Sequence, residues 1–183
     1  MKRVLIVNGS PNRDRTTKEA LKIAAAELNT GDFEITWFEL GTKPARGCID
    51  CCQCETTHRC AFNDDNCNEL IEKMLQADAI IIGTPVYFAG PNGALCALLD
   101  RVFYATANFG QLLKGKIGAS ITTCWRAGAT ATIDRINKYY TYSQMQVASS
   151  DYWNGYFGAD DDFGAEAIRT LTRNVAELLK AKD

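Results

Sequence analysis

The sequence predicts an α/β chain folded as a doubly wound three-layer sandwich around a five-stranded parallel sheet. Two observations carry this. Val4-Leu5-Ile6-Val7 and Ala79-Ile80-Ile81-Ile82 are short unbroken apolar runs, the pattern of strands buried on both faces. Between the strand-like runs, apolar residues recur at helical spacing. Strands alternating with helices imply a parallel sheet covered on both sides, and right-handed crossovers wind it twice.

The elements follow in order. Val4 to Val7 ends in Asn8-Gly9-Ser10-Pro11, a turn signal. A helix is expected from Thr17, with Leu21, Ala24, Ala25 and Leu28 on one face and Asn29-Thr30-Gly31 as its stop. Phe33 to Leu40 is rich in aromatic and β-branched residues and reads as the second strand. A long connection without periodicity comes next. Asp64-Asp65-Asn66 offers N-cap candidates, and Asn66 with Glu69 has capping-box spacing. Leu70, Met74 and Ala77 form the stripe of the helix that follows. The third strand is Ala79 to Gly83, then a loop from Thr84 to Asn92, then a helix from Gly93 to Tyr104 with Leu95, Leu98, Leu99 and Val102 inward. Ile117 to Cys124 is the fourth strand, Trp125 to Gly128 a loop, Thr130 to Tyr140 a helix, and Met145 to Ala148 a short fifth strand. The last helix, Ala165 to Lys180, carries Ile168, Leu171, Val175, Leu178 and Leu179 on its stripe. No repeat or linker divides the chain, so residues 1–183 are expected to form one domain with a cysteine-rich insertion at about 44–67.

The bulk properties narrow the function. The chain has 183 residues, 46% of them apolar, enough for a core and a composition that argues against disorder. The net charge is −2, and no basic run exceeds Lys2-Arg3, which argues against nucleic acid as partner. The apolar run Val4 to Val7 is too short for a signal peptide. No stretch approaches the ~18 apolar residues of a membrane span. A cytoplasmic protein with no membrane partner is therefore expected. Disulfides are scarce in that compartment, so a cysteine cluster points to metal or redox chemistry.

Ligands of such a sheet bind beyond the carboxyl ends of its strands. Three loops leave those ends. Gly9 to Thr17 joins a buried strand to a helix N-terminus, where unpaired N–H groups and the helix dipole favour an anion. Ser10, Thr16 and Thr17 add hydroxyls; without Gly-Lys-Ser/Thr or GxGxxG the loop suits one phosphate. A plain turn with Thr16 or Thr17 as N-cap has the same spacing. In Gly83 to Gly93, Tyr87 and Phe88 stand where a flat ring would stack, unless both are ordinary core. In Thr123 to Thr130, Gly128 permits close backbone approach, Arg126 can hold a negative charge and Trp125 can cover a ring; the alternative is a plain turn with a solvated arginine.

The segment CIDCCQCETTHRC holds five of the eight cysteines. Cys48, Cys51, Cys54 and Cys60 read C-x2-C-x2-C-x5-C, part of a ferredoxin-type run but with a longer last gap and no following proline. Zinc would accept four thiolates, although zinc sites more often use two separated pairs. Disulfides are a third reading, with Cys52 and Cys67 as further partners, and an empty loop a fourth. His58 reads as a solvent-exposed loop residue rather than a ligand, and Cys96 and Cys124 as buried core.

Several stretches together resemble a known family over nearly the whole chain. VNGSPNRDRTT, Asp64-Asp65, ADAIIIGTPVYFAGPNGALCALLDR, RAGATATIDRINKYY and SSDYWN are similar to the flavodoxin-like NADPH-dependent FMN reductases. The cysteine-bearing branch of that family includes the iron–sulfur flavoproteins. The resemblance implies strand order 2-1-3-4-5 and FMN as cofactor. It places the phosphate on Ser10, Asn12, Thr16 and Thr17, and the isoalloxazine ring against Pro85, Val86, Tyr87, Phe88, Trp125, Arg126 and Gly128. It implies a homodimer or homotetramer in which a neighbouring subunit walls the flavin. Iron–sulfur members have a compact motif with a variable last gap, which Cys48, Cys51, Cys54 and Cys60 fit as ligands of a [4Fe-4S] cluster. Arg15-Thr16-Thr17 stands where members commonly have Gly-Asn-Thr, Trp125 where relatives carry a second arginine, and Phe157 near their histidine.

The functional expectation is an FMN-dependent NAD(P)H oxidoreductase. NAD(P)H is the co-substrate, and a quinone, free flavin or nitro- or azo-aromatic is the small-molecule electron acceptor. Tyr87, Phe88 and Trp125 form stacking walls. No side chain is assigned as nucleophile or acid–base catalyst, because the ring carries the chemistry. The alternative is an iron–sulfur flavoprotein that transfers electrons with a ferredoxin-like partner. A zinc- or redox-sensing module without turnover is the third reading.

Overall fold

A computed structural model describes residues 1–182, so Asp183, the last residue of the expected domain, lies outside the described residues. The strands are β1 (Lys2–Asn8), β2 (Phe33–Glu39), β3 (Ala79–Tyr87), β4 (Gly90–Pro91), β5 (Ile117–Thr123), β6 (Gln146–Val147) and β7 (Gly155–Tyr156). The helices are α1 (Thr16–Leu28), α2 (Cys54–Thr57), α3 (Cys67–Gln76), α4 (Gly93–Ala107), α5 (Ala129–Tyr142) and α6 (Asp162–Lys180). The sheet runs β2-β1-β3-β5-β6, with all of these neighbours parallel. With the β4 hairpin set aside, this is the expected 2-1-3-4-5 order, and the fold is flavodoxin-like.

Period-2 alternation sends side chains to two separate cores. Val4, Ile6, Ala79, Ile81, Ile117 and Ile121 meet α1 and α6 on one face. Leu5, Val7, Ile80 and Ile82 meet α3, α4 and α5 on the other. Each such buried Val, Leu or Ile contributes roughly 1.5–3 kcal/mol.

The structure corrects the expected elements at four places. First, Thr84 to Asn92 is not simply a loop. Strand β3 continues to Tyr87 and turns back antiparallel, pairing Val86 with Pro91 and Tyr87 with Gly90. Pro85 is tolerated because β1 pairing stops at Gly83, leaving β5 as the partner on one side there. The two-residue turn has positive φ at Phe88 (50°) and Ala89 (59°), so it lacks the Asn-Gly signal that announces such hairpins. Second, Gly155–Tyr156 adds a strand beside Thr122–Thr123, too short to show any period. Third, the expected capping box is absent. Asn66 occupies the N-cap position of α3 without a side-chain cap bond, and the Cys67 N–H donates instead to Asp65 Oδ1 at 3.1 Å. Fourth, Cys96 and Cys124 are half-buried rather than core, and Cys124 lies just past the end of β5.

Candidate functional site

The carboxyl ends of β1, β3 and β5 open into a cleft of about 440 Å³, within the ordinary range for small-molecule sites. From the first loop come Ser10, Asn12, Arg15, Thr16 and Thr17. Pro85, Val86 and Tyr87 come from the tip of β3, and Thr123, Cys124 and Trp125 from the end of β5. Phe157 closes the far side.

The first loop is built tightly. The Ser10 N–H donates to Asn8 Oδ1 at 3.1 Å, and the Asn12 N–H to Ser10 Oγ at 3.1 Å. Gly9 lies against the sheet: a Cβ there would come within 2.9 Å of the Gly83 carbonyl. Asn92 Nδ2 donates to the Gly9 carbonyl at 3.0 Å, while Asn92 Oδ1 caps α4 by accepting from the Ala94 N–H. Helix α1 itself starts without a side-chain cap, since Arg15 fills the N-cap position in extended conformation and makes no such bond. Neither Thr16 nor Thr17 is the cap, so the plain capped turn is not what forms. The donors at this helix start face the cleft with hydroxyls beside them. Thr17 is buried, and its Oγ1 lies 2.7 Å from Thr123 Oγ1, which ties the first loop to β5.

Three expected contacts lie outside this cleft. Phe88 is fully exposed at the hairpin tip, where the turn aims it at solvent. Arg126 and Gly128 line a neighbouring cleft of about 260 Å³, which shares Cys124 and Phe157 with the first. Gly128 does make a close backbone approach, but to the hairpin. Its φ is 91°, and a Cβ there would meet Ala89 Cα at 2.7 Å. Tyr87 and Trp125 are exposed rather than core, and Trp125 is 92% accessible.

Away from this cleft, Cys48, Cys51, Cys54 and Cys60 line one small cavity, together with Cys52, Phe62, Arg101 and Tyr104. Cys48, Cys51 and Cys52 are exposed, Cys54 is buried and Cys60 half-buried. Burial raises the Cys54 thiol above its ordinary value, with the neighbouring cysteines adding to the shift. Burial also pushes the Cys67 thiol up to about 12. Asp50 (φ 54°) and Cys52 (φ 55°) take the left-handed conformation, as does His58 (φ 51°) at the end of α2. Left-handed residues next to right-handed ones turn successive N–H groups inward, a backbone form found at many iron–sulfur sites. The void is about 20 Å³, and among the described residues no three of His, Cys, Asp and Glu converge on a single ion. Four thiols are the donor type that the separate iron corners of a cluster take. His58 is half-buried rather than solvated, and its Nδ1 is shielded from water without a partner among the described residues.

Residues 2–159 match the family of NADPH-dependent FMN reductases. The chain belongs to the NADPH-dependent FMN reductase family. An iron–sulfur flavoprotein of Methanocaldococcus jannaschii is 28% identical over 191 residues, with 97% of each chain covered. An iron–sulfur flavoprotein of Methanosarcina thermophila is 26% identical over 184 residues, which cover 95% of this chain and 93% of that protein. Among solved structures, the flavodoxin, WrbA-like protein of Agrobacterium tumefaciens superposes with a TM-score of 0.74 at 15% identity over the full length of both chains, a likeness of fold.

In this FMN reductase family member, sequence reasoning missed Arg15, Thr123 and Cys124 as cleft-lining residues. Thr123 and Cys124 were legible only as the end of a strand. Their role depends on Thr123 pairing with Pro85, a register that the sequence does not display. Arg101 was missed at the cysteine cavity because it reads as one charged residue on a helix. Among the described residues no helix is long and apolar enough to cross a membrane.

Proposed function

We propose that the chain is an FMN-dependent oxidoreductase that also holds a [4Fe-4S] cluster on Cys48, Cys51, Cys54 and Cys60. The observation that carries this reading is that all four cysteines line the same small cavity. The full-length relatives named iron–sulfur flavoproteins support it. When bound, FMN supplies hydride-level electron exchange and the cluster supplies exchange of single electrons.

The chain's own residues then have separate tasks. Thr16 and Thr17, with the uncapped start of α1, would hold the FMN phosphate, and Ser10 and Asn12 would shape the loop around it. Pro85, Val86, Tyr87 and Trp125 would flank the ring and keep water from it. Arg126 and Gly128 stand in the adjoining cleft, where the co-substrate NAD(P)H or the acceptor would enter. Phe88 is left to a neighbouring subunit of a homodimer or homotetramer. A quinone, flavin or nitro- or azo-aromatic would use the flavin side, and a ferredoxin-like partner in the cytoplasm would use the cluster side. Residues 1–183 would act as one domain, with the cysteine segment as an insertion.

The test is anaerobic purification with flavin, iron, sulfide and zinc analysis and an absorption spectrum. Stoichiometric flavin with four iron and four sulfide is expected for one [4Fe-4S] cluster. Flavin without iron would sink the cluster reading. It would leave a flavin-only NAD(P)H reductase, which the small void and the ready aromatic walls at Tyr87 and Trp125 favour. That reading in turn fails if neither NADH nor NADPH reduces the bound flavin anaerobically.

A further inference from the structure

Of the four cysteines, Cys60 is held differently from the others. Its N–H donates to Asn68 Oδ1 at 2.8 Å, and its carbonyl accepts from Asn68 Nδ2 at 3.0 Å. Its sulfur accepts from Arg101 Nε at 3.2 Å. Arg101 is a buried residue on α4, with only 2% of its side chain accessible. Its Nη2 donates to Asp65 Oδ1 at 3.0 Å, and its Nη1 to Asp65 Oδ2 and, at 3.1 Å, to the Arg46 carbonyl. Asp65 in turn accepts from the Arg46 and Cys67 N–H groups. The pair thus fastens both ends of the cysteine segment to α4.

A buried ion pair contributes little net stability compared with an apolar pair of the same volume. What this one does that an apolar pair could not is aim a fixed N–H at one sulfur. The planar guanidinium locks that direction, because its other edge is bidentate on Asp65. A thiol is a weak acceptor, whereas a ligand thiolate is a good one and is better still when the cluster it serves is reduced. Hydrogen bonds to ligand sulfurs are among the features that set cluster potentials.

We propose that Arg101 is a positioning residue, oriented by Asp65, that presents Cys60 as the fourth ligand and raises the reduction potential of the cluster through its Nε–H···Sγ bond. This rests on the cluster reading above. The test compares wild type with Arg101→Lys, whose ammonium can still pair with Asp65 but carries no fork to aim at Cys60. A second variant, Asp65→Asn/Arg101→Met, removes the buried pair as a unit. The readouts are iron and sulfide content, circular dichroism, and the midpoint potential with the EPR spectrum of the reduced cluster. The expected result is a folded Arg101→Lys protein whose cluster potential is lower, by about tenfold in the one-electron equilibrium, or 59 mV. Loss of iron from both variants with the fold retained also supports the proposal, since presentation of Cys60 has failed. Unchanged iron and potential in the folded variants overturns it. So does failure of both to fold, which would make the pair a structural clamp. Absence of iron from wild type is a different outcome, because it removes the cluster reading itself.

Discussion

Replacing Thr17 by Val tests the proposed phosphate site through one buried hydroxyl. Thr17 Oγ1 and Thr123 Oγ1 are 2.7 Å apart, and either can donate. Each hydroxyl has a single hydrogen but two acceptor sites. If Thr17 gives its hydrogen to a phosphate, Thr123 must donate to Thr17, so the two form a relay toward the anion. The substitution keeps the shape and removes the end of the relay. A hydrogen bond to a charged acceptor contributes about 1.5–3 kcal/mol, so FMN affinity should fall roughly 10- to 150-fold. Riboflavin has the same ring and no phosphate, and its affinity should stay within about twofold. The free protein pays separately: Thr123 loses its partner, which costs about 1–3 kcal/mol, readable by urea denaturation without ligand. Fluorescence titration of the apoprotein with both flavins checks the affinities. An equal loss for FMN and riboflavin would refute the reasoning, because the hydroxyl would then serve the ring or the fold and not the phosphate. An unchanged FMN affinity would move the phosphate away from the start of α1.

Three further outcomes are expected. Gly128→Ala should destabilise the protein by about 1–3 kcal/mol, seen as a lower urea midpoint, because the new Cβ would meet Ala89 Cα at 2.7 Å with φ at 91°. Cys54→Ala should abolish bound iron while FMN binding persists, since Cys54 lines the cysteine cavity and not the flavin cleft; elemental analysis with flavin absorbance reads both. Burial opposes the Asp65 charge, but the bonds from Arg101 and the Cys67 and Arg46 N–H groups outweigh it and hold this carboxyl below its ordinary value. Its contribution is therefore complete above the unfolded carboxylate range and is lost as pH falls through the depressed value. The stability difference between wild type and Asp65→Asn/Arg101→Met should shift against wild type between pH 5 and about pH 3, and a difference constant over that range would contradict it.

The layers were legible because burial on both faces leaves unbroken apolar runs, as in Val4–Val7 and Ala79–Ile82. The features that were not legible are those in which tertiary pairing overrides local preference. Nothing local asks Phe88 and Ala89 to adopt positive φ; the antiparallel return of Gly90–Pro91 against Val86–Tyr87 does. Asn66 and Glu69 have the letters of a capping box, but it is Asp65, paired with Arg101, that accepts from the first N–H of the helix. Gly128 was correctly read as a close approach, but its neighbour is the hairpin and could not be named from the sequence. The cleft residues were found where strand ends could be counted, and missed where register decided, as at Thr123.

The stretch from Pro85 to Arg101 is one of the pieces that carry the family resemblance, and its geometry links the two candidate sites. Asn92, the N-cap of α4, accepts from the Ala94 N–H and holds the Gly9 carbonyl with its amide, while its own N–H donates to Thr84 Oγ1. It therefore ties the first loop, the tip of β3 and the start of α4 at one point. Arg101 lies nine residues further along the same helix, about 14 Å by the α-helical rise. There it holds Cys60 and both ends of the cysteine segment. One rigid helix thus fixes the spacing of the two candidate sites. The cysteine segment lines only the far end of that arrangement and contributes no residue to the cleft proposed for the flavin. A change at Asn92 would disturb the first loop, the hairpin and the helix together. At the far end of the helix the fourth cysteine of the longer-gapped run is held directly, by Asn68 through its backbone and by Arg101 through its sulfur.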